Sequence, residues 1–176
     1  MKHFLIVVDM QKDFVDGALG SAEAVAIIPA VIDKIRTFDG EIIVTYDTHT
    51  EQYMNTNEGS HLPVPHCIKG SDGWQLDAQV AAALAGRVYR TVEKPTFGSV
   101  ALPALLREIA GDEPFTVELI GLCTDICVVS NALLVKAHFP EHEIFVDAAC
   151  CAGVSPATHR AALTTMASCQ IQIKNA

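Results

Sequence analysis

The feature that most constrains this chain is a repeated switch of hydrophobic period. Short continuous apolar runs, "FLIVVDM" (4–10), "EIIVTYD" (41–47), "RVYRTVE" (87–93), "FTVELIGL" (115–122), "EIFVDA" (143–148) and "QIQI" (170–173), alternate with helical patterns at 21–37, 75–85, 99–110, 125–138 and 156–168. Runs rich in Val, Ile and Phe read as strands, most of them buried on both faces. Strand and helix taking turns at this spacing predict an α/β fold: a parallel sheet with right-handed crossovers and helices on both faces. Ser21, Ser99, Asp125 and Ser155 stand near the helix starts, where their side chains can cap backbone N–H groups. The one long irregular stretch is 48–74, and a loop of that length inside a compact domain is usually functional.

Composition supports one globular domain over 1–176. Half of the 176 residues are hydrophobic and 19% are charged, enough to bury a core without staples. The net charge is -9 and the basic residues are scattered singly, so no Lys/Arg stripe exists to neutralise a phosphate backbone, and nucleic acid is not an expected partner. No stretch approaches a membrane span, and the first apolar run is too short for a secretory signal and is broken at Asp9. The expectation is a cytoplasmic protein with no membrane partner, with homo-oligomerisation left open. Of six cysteines, Cys67, Cys123, Cys127 and Cys150 lie in or beside apolar segments, which favours reduced thiols over a disulfide framework.

In an open parallel sheet the ligand crevice lies beyond the carboxyl ends of the strands. Asp9, Asp47 and Lys94 end predicted strands, and "GLCTDICVVS" (121–130) follows the fourth. A carboxylate, a lysine and a cysteine converging on one edge make a complete set for thiol-based acyl transfer. Cys127 falls in the expected first turn of a helix, where free N–H groups and the dipole favour a thiolate. Cys123 lies earlier, in the strand-to-helix turn, where its backbone N–H is its most useful group. Two other roles compete: both cysteines as small buried side chains, or both as zinc ligands. The second is weaker, because C-x3-C is one residue longer than the usual knuckle and no second pair follows. Asp9 as a cap or structural ion pair, and Lys94 as a solvated lysine, are the corresponding plain readings.

The segments "VVDMQKDF" (7–14), "YDTH" (46–49), "PHCIKGSDG" (65–73), "EKPTFGS" (93–99) and "GLCTDICV" (121–128) resemble, in order and spacing, the nicotinamidase and isochorismatase-like cysteine hydrolases. The resemblance covers nearly the whole chain. It implies a six-stranded sheet of order 3-2-1-4-5-6 and a catalytic triad of Asp9, Lys94 and Cys127. It further implies an oxyanion hole from the N–H groups of Cys123 and Cys127, and a cis peptide at Leu122–Cys123. Asp47, His49, Glu58 and His66 resemble the ligands of a divalent metal, zinc above all, with iron and manganese also suited to two His and two carboxylates. Many members carry a third His where this chain has Asn55; Glu58 resembles the variant ligand, with His61 its competitor. Phe14, Phe97 and Leu122 would line the substrate pocket. The aromatic residue that often precedes "PHC" is replaced by Leu62, Pro63 and Val64, which leaves the substrate open.

The implied activity is hydrolysis of a small carboxamide to an acid and ammonia through a thioester, with carbamoyl or ureido compounds as further substrate classes. An isochorismatase-type vinyl-ether hydrolase is the alternative within the family, though that branch lacks the cysteine. A metal- or redox-binding module without turnover is the alternative from another class.

Overall fold

The apolar runs form the strands. The computed structural model describes residues 1–176, with β1 at Lys2–Val8, β2 at Glu41–Asp47, β3 at Tyr89–Lys94, β4 at Phe115–Leu122, β5 at Glu143–Ala152 and β6 at Gln172–Lys174. They pair in one all-parallel sheet of order β3-β2-β1-β4-β5-β6, as the family resemblance implied. The helices are α1 (Lys12–Val15), α2 (Ala22–Ala26), α3 (Ile28–Thr37), α4 (Asn57–His61), α5 (Ala78–Leu84), α6 (Leu102–Ala110), α7 (Val129–His138) and α8 (Pro156–Ser168). None is long and apolar enough to cross a membrane.

Each buried strand feeds two cores, because successive side chains point to opposite faces. On one face Phe4, Ile6 and Val8 of β1 join Val117 and Leu119 of β4 against Leu102 and Leu106 of α6 and Val135 of α7. On the other, Leu5 and Val7 join Ile42, Val44 and Ile120 against Val31 and Ile35 of α3 and Val80 and Leu84 of α5. This double burial is why the runs lack polar alternation. The buried acids Glu118 and Asp147 are neutralised by Lys34 of α3, at 2.5 and 2.8 Å, and Glu118 also by Lys174 at 2.7 Å.

Several helix boundaries differ from the expected ones for identifiable reasons. The 21–37 pattern is two helices, broken at Ile27 with Pro29 in the first turn of the second; Ser21 does cap the first by accepting from Ala24 N–H. The 125–138 pattern starts its α-helix only at Val129, after a π-helical turn at Thr124–Val128. Asp125 is not its cap, and its carboxylate accepts instead from Val154 N–H at 3.1 Å. Nor does Ser99 cap α6: its N–H is bound by the Asn131 side chain, and the helix begins at Leu102. Ser155 caps α8 with Thr158 in a reciprocal capping box. Within 48–74 the chain makes a 3-10 turn at Tyr53–Asn55 and α4, capped by Thr56.

Strand order reverses between β1 and β4, and the crevice expected there depends on their close approach. Gly121 makes that approach. It has φ of 114°, sits at an irregularity in the β4–β5 register, and a Cβ on it would lie 2.2 Å from Val8 O. Gly121→Ala is therefore expected to lower stability by about 3 kcal/mol. Urea unfolding of the variant against the parent measures the loss, and a change below about 1 kcal/mol would show that the strands can separate there without strain.

Candidate active site

The ends of β1, β2 and β3 and the turn after β4 bring four functional groups to one rim. Asp9, directly after β1, has φ of 47°, a left-handed conformation uncommon for a residue with a Cβ. Thr45 holds it there: Asp9 N–H donates to Thr45 Oγ1 at 3.2 Å, and that hydroxyl donates to Asp9 Oδ1 at 2.6 Å. Lys94, the last residue of β3, is only 1% exposed. Its Nζ lies 2.6 Å from Asp9 Oδ2, 3.5 Å from Asp47 Oδ1 and 3.5 Å from Cys127 Sγ, and donates to Thr96 O at 3.1 Å.

These neighbours set the protonation states. Burial works against an ammonium, but Asp9, Cys127 and Asp47 outweigh it and raise the pKa of Lys94, so it stays cationic. Burial pushes the Asp9 carboxyl up against the opposing pull of Lys94, which makes it a better proton acceptor than a solvated carboxylate. The Cys127 thiol is pushed well above its ordinary value by burial and by Asp9, with Lys94 opposing. At rest the site therefore holds a neutral thiol beside an acid–lysine pair.

The turn around the thiol is irregular in a specific way. Cys123 O accepts from Ile126 N–H at 3.1 Å and from Val128 N–H at 3.0 Å, passing over Cys127 between them. Single π turns of this kind recur at functional sites. The Leu122–Cys123 peptide is cis, as the resemblance implied. The thiol of Cys123 is pushed up to about 12 by burial, with Asp125 and Asp9 adding to the shift. Only Cys127 has the Lys94 ammonium beside it.

The second group lies next to the first. Asp47 Oδ2 is 3.1 Å from His49 Nε2 and 3.5 Å from His66 Nε2, and Glu58 Oε1 is 3.7 and 3.6 Å from the same two nitrogens. All four ligand atoms lie within 4.8 Å of one another. Zinc bonds of about 2.0–2.1 Å in tetrahedral geometry place ligand atoms about 3.3–3.4 Å apart, so the four short separations fit a first-row cation. His66 Nδ1 donates to Val64 O at 2.8 Å, which leaves Nε2 as the lone-pair donor toward the group. Burial lowers the proton affinity of His66, yet the Asp47 hydrogen bond and the nearby carboxylates outweigh it: the group attracts positive charge. His61 lies outside the cluster, with its Nδ1 bound to Asn57 O at 2.8 Å.

Members of both groups line one pocket of about 410 Å³, within the usual range for small-molecule sites. Cys127 lines it together with Asp47, Glu58 and His66, and so do Phe14, Phe97 and Leu122. Leu62 borders it where a flat aromatic wall was missing from the sequence.

Four positioning residues went unnoticed in the sequence. Thr45 falls within a predicted strand, where a hydroxyl inside a buried apolar run is the signal. Gln11 binds both backbone groups of Asp47, accepting from its N–H at 2.7 Å and donating to its carbonyl at 2.9 Å. Asp13 accepts from Cys67 N–H at 2.8 Å and so anchors the chain next to His66. Gln11 and Asp13 lie within the "VVDMQKDF" segment, which was the available clue. Tyr53 is buried, its ring packs 4.8 Å from His49 and 4.9 Å from His66, and its hydroxyl donates to Leu62 O.

The chain and its fold have counterparts among known proteins. A family model described as the isochorismatase domain matches residues 3–175. The nicotinamidase/pyrazinamidase of Mycobacterium tuberculosis is 27% identical, over 96% of this chain and 96% of its own. The crystal structure of the nicotinamidase/pyrazinamidase from Bacillus subtilis gives a TM-score of 0.87 at 25% identity, covering 99% of this chain and 100% of that one. A pyrazinamidase of Pyrococcus horikoshii in complex with zinc gives 0.80 at 28% identity, covering 98% of each.

The cluster geometry distinguishes Glu58 from His61. After loading with zinc and removal of excess metal, Glu58→Ala is expected to retain less than about a tenth of the parent's zinc, since loss of one ligand typically weakens such sites at least as much as loss of a supporting partner. His61→Ala should retain it all. Elemental analysis of the two proteins reads the outcome, and the reverse pattern would show that the ligand is His61.

Proposed function

The chain belongs to the isochorismatase family, and from that premise we propose that it is a nicotinamidase-like amidohydrolase in which Cys127 carries the acyl group. The observation that bears most weight is the shared pocket, in which the thiol beside Lys94 and three of the four ligand residues, Asp47, Glu58 and His66, face one small cavity.

The substrate is a small flat carboxamide with a ring heteroatom, its ring between Phe14 and Phe97 and its carbonyl carbon at Cys127 Sγ. Asp9 takes the thiol proton as sulfur attacks, while Lys94 balances the charge that moves onto sulfur and oxygen. The developing oxyanion is held by the N–H groups of Cys123 and Cys127, donors fixed in place before the reaction begins. The tetrahedral intermediate collapses as Asp9 returns its proton to the nitrogen. Ammonia leaves and a thioester remains. Asp9 then deprotonates a water, which attacks the same carbon, and the carboxylic acid departs as the proton returns to sulfur. The raised proton affinity of Asp9 suits a group that must both accept and return a proton near neutral pH.

Asp47, His49, Glu58 and His66 would hold a divalent cation, with zinc the best fit to their spacing. Such a cation supplies a Lewis-acidic site for the ring nitrogen and fixes the orientation of the carboxamide. Carbamoyl and ureido compounds, which lack that ring, would use only half of the site.

Ammonia release from a panel of nicotinamide, pyrazinamide, benzamide and ureido compounds tests this reading, and no release from any of them would favour a binding module. With the best substrate, Cys127→Ala is expected to lower kcat by about 10³-fold or more, whereas Cys123→Ala, whose role lies in the backbone, stays within about tenfold of the parent. Equal losses in two folded variants would refute the assignment of roles. Asp9→Asn should also slow alkylation of Cys127 by iodoacetamide near neutral pH by about tenfold or more, because the base is gone.

A further inference from the structure

Asn131, in the first turn of α7, is fully buried, and its amide is fully used. Nδ2 donates to Cys127 O at 2.8 Å and to Phe97 O at 3.2 Å, and Oδ1 accepts from Ser99 N–H at 2.9 Å. These three bonds join segments from different crossovers. One is the turn that carries the thiol; the other is the stretch after β3 that carries Phe97. The same stretch supplies Thr96 O, which accepts from the Lys94 ammonium. Gly98 is also pressed against α7, since a Cβ there would lie 3.3 Å from Ser130 O.

We propose that Asn131 is a positioning residue for the reaction: it clamps the backbone of the nucleophile to the loop that holds Lys94 and Phe97. The clamp fixes two separations together, the 3.5 Å between Lys94 Nζ and Cys127 Sγ and the gap between Phe97 and the thiol. A thiol whose anion is stabilised by one ammonium loses that help steeply as the two drift apart in a dry site. A ring wall that shifts with the same loop changes substrate binding. Loss of the clamp therefore affects thiol reactivity and KM at once, a pairing that simple destabilisation of α7 does not produce. The proposal rests on Cys127 being the nucleophile, as in the function proposed above.

The test compares Asn131→Asp, which keeps the shape but replaces both donor N–H groups with an acceptor oxygen, with Asn131→Ala and Asn131→Ser. Ala132→Gly, at the next buried position of the same helix, controls for loss of stability alone. Alkylation of Cys127 by iodoacetamide, followed by mass spectrometry of the Cys127 peptide in the folded protein, is measured beside Tm, kcat and KM. Asn131→Asp and Asn131→Ala are expected to react about tenfold to 100-fold more slowly at Cys127 and to show a raised KM. Asn131→Ser, with one donor left, should fall between them and the parent. Ala132→Gly should lower Tm without changing the alkylation rate. Unchanged or faster alkylation in the folded Asn131 variants, an equal slowing in Ala132→Gly, or failure of all three Asn131 variants to fold would each overturn the proposal. Alkylation needs no substrate, so it tests the clamp even if the parent releases no ammonia, a result that would sink the proposed function alone.

Discussion

One buried ammonium organises this site. Removing an ion from water costs several kcal/mol, and the penalty is offset only where opposite charges and acceptors surround it closely. Lys94 meets that requirement with Asp9 at 2.6 Å, Asp47 at 3.5 Å and the carbonyl of Thr96. Every one of these partners is then committed. Asp9 must face inward from a strained backbone, Asp47 must turn one oxygen to the lysine, and the loop after β3 must fold over it. Asp47 is the joint between the two halves, since its Oδ1 serves Lys94 while its Oδ2 serves His49 and His66. Its carboxyl is held below the usual range: the two imidazoles and Lys94 together outweigh the burial that would raise it. The Lys94–Asp9–Cys127 group and the four-ligand group thus share a carboxylate, not merely a cavity.

Topology makes this economical in residues. In an all-parallel sheet every strand ends at the same rim, so Asp9, Asp47 and Lys94 need no long excursions to meet. The reversal between β1 and β4 opens the gap into which the thiol turn descends, and Gly121 keeps those two strands close enough for Asp9 to reach it.

Much of this was legible in the sequence because it is local. The runs 41–47 and 115–122 coincide with β2 and β4, and 156–168 coincides with α8, where a double-sided core or a serine capping box marks the ends. The residues named for the triad and the ligand group do converge, and strand ends fix Asp9, Asp47 and Lys94 among them. What escaped depends on partners distant in the chain. Asp125 had the look of a cap, but Val154 N–H competes for it from 29 residues away. Ser99 was drawn off by Asn131 in the same manner. Periodicity cannot distinguish a π turn from the start of an α-helix, so Thr124–Val128 read as the latter. Nor can it show that Tyr53, inside an apparently irregular loop, packs its ring against both imidazoles.

The spacing of the four ligands along the chain has a consequence for folding. Asp47 ends β2 and His49 follows two residues later, whereas Glu58 rides on a five-residue helix and His66 on chain outside any helix or strand, segments too short to hold their shape alone. A cation bound by all four would act as a cross-link that closes a loop of about twenty residues, removing conformational freedom from the unfolded chain much as a disulfide does. Binding would then be paid back as order in 48–66, and this segment, rather than the sheet, would be the first to fray and meet a protease when the cation is withdrawn.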